Sequence, residues 1–284
     1  MPELFGFDCY SPKEIAERVE NVGVTKAKLP LLSMAALGVL AGGFIGLGAL
    51  YFIVVVSDAS LGFAVGRVIG GVAFSLGLIL VVVAGAELFT GNNLLVMAWV
   101  ARRISTAKLL QNLLVSYGAN FVGAAGLAVL VTLSSHSNMA GGAVGKTSVT
   151  IAAAKCALPF GEAFFKGILC NVLVCLAVWL AMAGRNVADK ILAIVFPISA
   201  FVACGFEHSV ANMYFIPLGI FMRSHVPTDG IAHLDALTWP GFVLNLVPVT
   251  LGNLLGGAGM VGLVYYVIYR RGTARSVATP TAPP

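Results

Sequence analysis

The sequence predicts an all-α polytopic membrane protein with six transmembrane helices, an inverted three-plus-three repeat whose second and fifth helices are broken. Three observations predict it. Hydrophobic residues make up 59% of the 284 and charged residues only 10%, whereas a soluble domain carries about 25% charged residues. Six apolar stretches reach the roughly 20 residues that cross a bilayer, at 30–56, 68–100, 109–133, 160–183, 190–222 and 241–269. Two polar motifs also recur, in the same order, in the two halves of the chain.

The elements follow in chain order. Residues 1–28 are polar, with no short apolar core and no small-residue cleavage site, so no signal peptide is expected. Ser11-Pro12-Lys13-Glu14 instead places a capping serine, a proline at the first helical position and a glutamate at the third. That opens a short amphipathic surface helix through Ile15, Val19 and Val22. The transmembrane domain follows over 29–270, with repeat halves at about 29–134 and 158–270, and the Pro/Thr/Ala-rich tail 271–284 is expected to be disordered. Twelve of the 17 Lys and Arg residues fall in segments on the N-terminal side of the membrane, against Arg67, Lys146, Lys155 and Arg223 on the other. The positive-inside rule therefore puts both termini in the cytoplasm. The net charge of +5 lies in short flanks between apolar runs rather than in one patch, so it reads as topology and not as nucleic-acid binding.

The five cysteines show no Cys-x-x-Cys spacing. Cys170, Cys175 and Cys204 lie in apolar runs and read as small buried hydrophobes. Cys204 and His208 are one helical turn apart, but two ligands do not make a zinc site. No metal or cofactor is expected.

The repeat carries the functional argument. Gly85-x-Glu87 with Asn92 in the second span is matched by Gly205-x-Glu207 with Asn212 in the fifth, 120 residues on. Asn120, Gly123 and Gly126 in the third span are matched by Asn253, Gly256 and Gly259 in the sixth, 133 residues on. Each half has three spans, an odd number, so the second half must enter the membrane upside down. Unwound backbone at membrane depth is tolerated only where protein buries it or it lines a cavity, so the two breaks should face each other across a pathway. A half-helix that starts there offers free N–H groups to a small anion. Glu87 and Glu207 read as caps accepting N–H bonds at the broken ends. His208 adds a group that can hold or release a proton beside the anion. Glu162 and Lys166, four apart, should pair with each other.

GAELFTGNN and GFEHSVANM, together with the helix FFKGILCNVLVCLAVW, resemble the signatures of the formate–nitrite transporter family over residues 10–270. FSLGLIL, GFEHSVANMYFIPLGI and PVTLGN are most similar to its formate-channel branch. The resemblance implies a homopentamer of aquaporin-like protomers in a bacterial inner membrane, each passing formate and related small monovalent anions such as nitrite, acetate or lactate, often with a proton. It makes His208 the central histidine, Thr90 its partner and Asn253 a pore asparagine. Phe74 and Leu78 become an apolar constriction towards one side, with Leu88 and Phe201 towards the other. Lys155 becomes a vestibule lysine that attracts anions, while Glu207 and Asn212 brace the fifth-span break. Read from the residues alone, Thr90 could bond its own helix and Lys155 could be a snorkelling lysine at a helix end.

Three rivals are weaker. A nitrite-preferring relative shares nearly every motif. A neutral-solute channel of the aquaporin type carries Asn-Pro-Ala at both half-helix starts, and neither tripeptide is present. An intramembrane hydrolase needs a base facing its nucleophile, and Ser209 beside His208 does not face it. The chain is not expected to be an enzyme.

Overall fold

The computed structural model describes residues 9–271, so the expected disorder of 272–284 lies outside the described residues. Helix α1, Pro12–Ala27, starts as its capping box dictates: the Ser11 hydroxyl accepts from the Glu14 N–H, and the Glu14 carboxylate accepts from the Ser11 N–H at 2.8 Å. The Ser11 hydroxyl also donates to that carboxylate at 2.7 Å, and this bond, with the one from the Ser11 N–H, holds the Glu14 carboxyl below the usual carboxylate range. Ile15, Ala16 and Val19 form its buried face. Glu20, also buried, fastens it by ion pairs to Arg103 and Arg270, both at 2.9 Å.

Among the described residues, five helical stretches are long and apolar enough to cross a membrane: Leu31–Val56, Phe63–Gly85, Thr106–Leu133, Phe160–Ala183 and Trp239–Tyr269. The expected span 190–222, read as a broken helix, consists of two shorter helices, α9 (Val187–Ala203) and α10 (Ser209–Met222), separated by the unwound residues 204–208. The expected span 68–100 starts earlier and is also interrupted. After α2 (Leu31–Val56), α3 (Phe63–Ile79) runs into a π-helical turn, Leu80–Gly85; residues 86–88 are extended, and helix resumes as α4 (Phe89–Asn92), a 3₁₀ turn (Asn93–Leu95) and α5 (Val96–Val100). Arg67, counted above among loop residues, therefore lies inside α3.

The remaining elements are α6 (Thr106–Leu133), α7 (Ala143–Cys156), α8 (Phe160–Ala183), α11 (Trp239–Leu254), the π-helical Leu255–Leu263 and α12 (Val264–Tyr269). Several start two or three residues before their apolar runs, because polar caps open them: Ser105 for α6, an Asn186–Asp189 capping box for α9 and Thr238 for α11. Helix α7 was not foreseen, and it takes up Lys146 and Lys155. Lys166 and Glu162 pair as expected. Cys170 and Cys175 are buried, but Cys204 is exposed, because α9 ends at Ala203 and the cysteine sits in the unwound segment rather than in a helix.

Glycine sets the closest helix contacts. A Cβ added at Gly42 would lie 2.0 Å from the Asn120 carbonyl oxygen, and one at Gly123 would lie 1.9 Å from that of Val39. The second half repeats this between α8 and α11 with the π-helical stretch that continues it, where Cβ atoms at Gly252 and Gly256 would lie 2.2 and 2.3 Å from the carbonyls of Phe164 and Ile168. Backbones this close leave no room for a methyl group, which is how small residues drive helix association in lipid. Gly123→Ala should therefore cost about 1–3 kcal/mol through overpacking, read as a lower melting temperature in detergent. Gly126→Ala, with nothing within 4 Å of the added carbon, should melt with the parent.

Candidate functional site

Two glycines turn the chain at the breaks. Gly85 has φ +85° and Gly205 φ +73°, left-handed values that glycine adopts without steric penalty. The exposed backbone on either side must then find partners inside the protein. At the first break, Asn120 supplies them: its Oδ1 accepts from the Phe89 N–H at 2.9 Å, and its Nδ2 donates to the carbonyls of Gly38 (2.8 Å) and Glu87 (2.9 Å). Asn253 does the same at the second break, accepting from the Ser209 N–H at 2.9 Å and donating to Gly167 (2.8 Å) and Glu207 (3.0 Å). The Asn253 side chain is thus fully engaged with backbone.

The glutamates do not cap helix ends, contrary to the sequence reading. The asparagines already hold the N–H groups, and each carboxylate is drawn instead to a lysine. Glu87 pairs with Lys26 at 2.9 Å and Glu207 with Lys155 at 2.8 Å. Asn92 donates to Glu87 (2.7 Å) and Asn112 (2.8 Å), and Asn212 donates to Glu207 (2.6 Å) and Asn245 (2.7 Å). Lys26, Asn112 and Asn245 escaped the sequence reading. One signal could have found two of them, since Asn112 and Asn245 share the 133-residue offset of Asn120 and Asn253.

The breaks meet at one contact. Thr90 Oγ1 lies 2.9 Å from His208 Nε2, with both residues buried. His208 Nδ1 accepts the Ala211 N–H at 3.0 Å and so caps α10. With Nδ1 as the acceptor, a neutral ring carries its proton on Nε2 and donates it to Thr90, which leaves the threonine hydroxyl hydrogen for another acceptor. Protonating Nδ1 would remove the only lone pair that the Ala211 N–H can use. The imidazole stacks on Phe201, with centroids 5.9 Å apart. The N–H groups of Phe89, Ser209 and Ala211 are taken by side chains, so the half-helix starts are less open to an anion than expected.

Two cavities take in residues of the breaks. One, about 240 Å³, is lined by Phe74, Phe201, Lys155, Glu207 and His208, with Arg67 and Lys166 at its wall. The other, about 420 Å³, is lined by Leu78, Leu88, Gly85, Glu87, Asn92 and Lys26. This corrects the expected pairing of apolar residues. Phe74 and Leu78 are one turn apart on α3 and line different cavities, each with a residue from another element. Phe201 meets Phe74 edge to face at 5.5 Å, while Leu88, from the first break, shares the other cavity with Leu78. Arg67 donates to the Val202 and Ala203 carbonyls at 2.7 and 3.1 Å, a cation set against the C-terminal end of α9.

The chain as a whole is similar to known proteins. The family model for the formate/nitrite transporter matches residues 13–267. The chain is 40% identical to formate channel FocA of Escherichia coli K12 over 274 residues, 93% of this chain and 96% of that protein. It is 39% identical to formate channel BtFdhC of Bacillus thuringiensis over 264 residues, 92% and 96% of the two chains. A solved pentameric formate channel with formate bound matches with a TM-score of 0.77 at 35% identity, covering 84% of this chain and 97% of that one. Matched along nearly its whole length by profile, sequence and structure, the chain belongs to the formate/nitrite transporter family.

Proposed function

We propose that the protein is a transmembrane channel for formate and related small monovalent anions, with proton movement coupled to transport at His208. The observation that carries this reading is the buried 2.9 Å contact between Thr90 and His208, the polar step between two cavities that each hold a lysine. Lys155 on one side and Lys26 on the other attract the anion. The apolar levels of Phe74 with Phe201 and Leu78 with Leu88 strip its water, which is costly for a charged carboxylate and far less so for a neutral acid. At the centre the Thr90 hydroxyl is free to donate to the anion, and a carboxylate beside the ring compensates for a proton placed on the imidazole.

The matching sets around Glu87 and Glu207 support two inverted halves of three spans, the second and fifth of them broken. The formate channels among the relatives, one of them pentameric, support formate as substrate and a homopentamer as assembly. The bacterial channels among the relatives support a bacterial inner-membrane protein, and the distribution of Lys and Arg supports cytoplasmic termini.

Formate uptake into proteoliposomes as a function of pH tests the reading. His208→Asn should flatten the pH profile, whereas a parent-like profile in that variant would remove the histidine from the role. Nitrite, acetate and lactate assayed beside formate rank the substrates, and a strong preference for nitrite would replace formate as the principal one.

A further inference from the structure

The two halves share one set of contacts, and the place where that set departs from the repeat lies against Thr90. Lys26 and Lys155 are 129 residues apart and play the same part, as do Gly38 and Gly167, whose carbonyls accept from Asn120 and Asn253. One turn beyond those glycines the register brings Gly42 in the first half and Asn171 in the second. Gly42 lies so close to the Asn120 carbonyl that no side chain fits there. Asn171, fully buried, instead extends an amide to the equivalent Asn253 carbonyl, with Nδ2 at 2.7 Å, and to the Thr90 carbonyl at 3.3 Å.

We infer that Asn171 is a positioning residue that holds Thr90 in register with His208. Its two N–H bonds tie the start of α4, in the first break, to Asn253, which itself holds the second break. Two more donors converge on the Thr90 carbonyl: Asn93 Nδ2 at 3.0 Å and Cys175 Sγ at 3.4 Å. The Thr90 backbone is thereby fixed from three directions while its hydroxyl meets the imidazole. Room for the amide comes from Gly257, where an added Cβ would lie 2.3 Å from Asn171 Nδ2 and 2.8 Å from Cys175 Sγ. The inference rests on the reading of the Thr90–His208 contact as the polar step of the pore.

The test is formate uptake into proteoliposomes, measured across the pH range in which histidine titrates, for the parent, Thr90→Val, Asn171→Leu and the double variant. Asn171→Leu should lose about tenfold in rate, as small misplacements of a working group do, and should take on the pH profile of Thr90→Val. Residues acting through one contact are not additive, so the double variant should be no slower than Thr90→Val alone. A parent-like rate and profile in Asn171→Leu, or losses that multiply in the double variant, would overturn the inference while the contact's role stands. Parent-like behaviour of Thr90→Val would overturn the role of the contact itself. Should Asn171→Leu fail to assemble, Gly257→Ala keeps the amide but displaces it and is expected to show the Thr90→Val profile. Asn171→Ser, which retains one donor, should recover part of the rate. The parent's profile in Gly257→Ala sinks the inference equally.

Discussion

Asn253→Leu is expected to destabilise the protein by roughly 2–6 kcal/mol, at about 1–3 kcal/mol for each buried polar group left without a partner. The two groups are the Ser209 N–H and the Glu207 carbonyl, both held by this one side chain, while the Gly167 carbonyl keeps its bond within α8. Folded proteins have about 5–15 kcal/mol in total, so the variant should melt far below the parent in detergent or fail to accumulate. Asn120→Leu, which strips the Phe89 N–H and the Glu87 carbonyl, should behave alike, whereas leucine at the exposed Asn138 should change little. Parent-like melting of Asn253→Leu together with lost formate flux would instead mean that the asparagine serves the passing anion.

Lys155→Met is expected to have two separable effects. It leaves Glu207, only 4% exposed, as an unpaired buried carboxylate, and breaking a buried pair in this way costs about 3–5 kcal/mol. It also removes a positive charge from the smaller cavity, where attraction of an anion can raise entry rates by about tenfold or more. Adding Glu207→Gln should recover most of the stability, since a neutral amide oxygen still accepts from Asn212 and no longer needs a cation. Uptake should stay low in that double variant and lack the dependence on ionic strength expected of the parent. Recovery of parent uptake along with stability would reduce Lys155 to a structural partner of Glu207.

The spans were legible in the sequence because lipid leaves few choices: long apolar runs, basic flanks and glycine-marked breaks appear directly as composition. The breaks were legible because Gly85 with Glu87 and Gly205 with Glu207 interrupt such runs at matched positions. Who satisfies whom was not legible. Glu87 and Glu207 looked like helix caps, since a carboxylate near a helix start usually takes N–H groups, but those groups belong to Asn120 and Asn253, distant in sequence. Lys26 looked like one more topology signal, and nothing local distinguishes it from Lys28 two residues on. Asn171 lies in an apolar run with no partner nearby, because its partners are carbonyls in two other elements, and carbonyls leave no trace in a sequence. Which cavity each apolar residue lines was hidden for the same reason, since helical spacing orders Phe74 and Leu78 but says nothing of what stands across from them.

The double duty of His208, ring partner to Thr90 and cap of α10, links chemistry to mechanics. A proton that lands on Nδ1 evicts the Ala211 N–H, so the imidazolium forms only as the first turn of α10 loosens its grip. The reverse also holds: a helix start pulled tight keeps the ring neutral. Any proton that reaches Nδ1 must therefore also move main chain at the start of α10, because the ring and the helix share that one nitrogen.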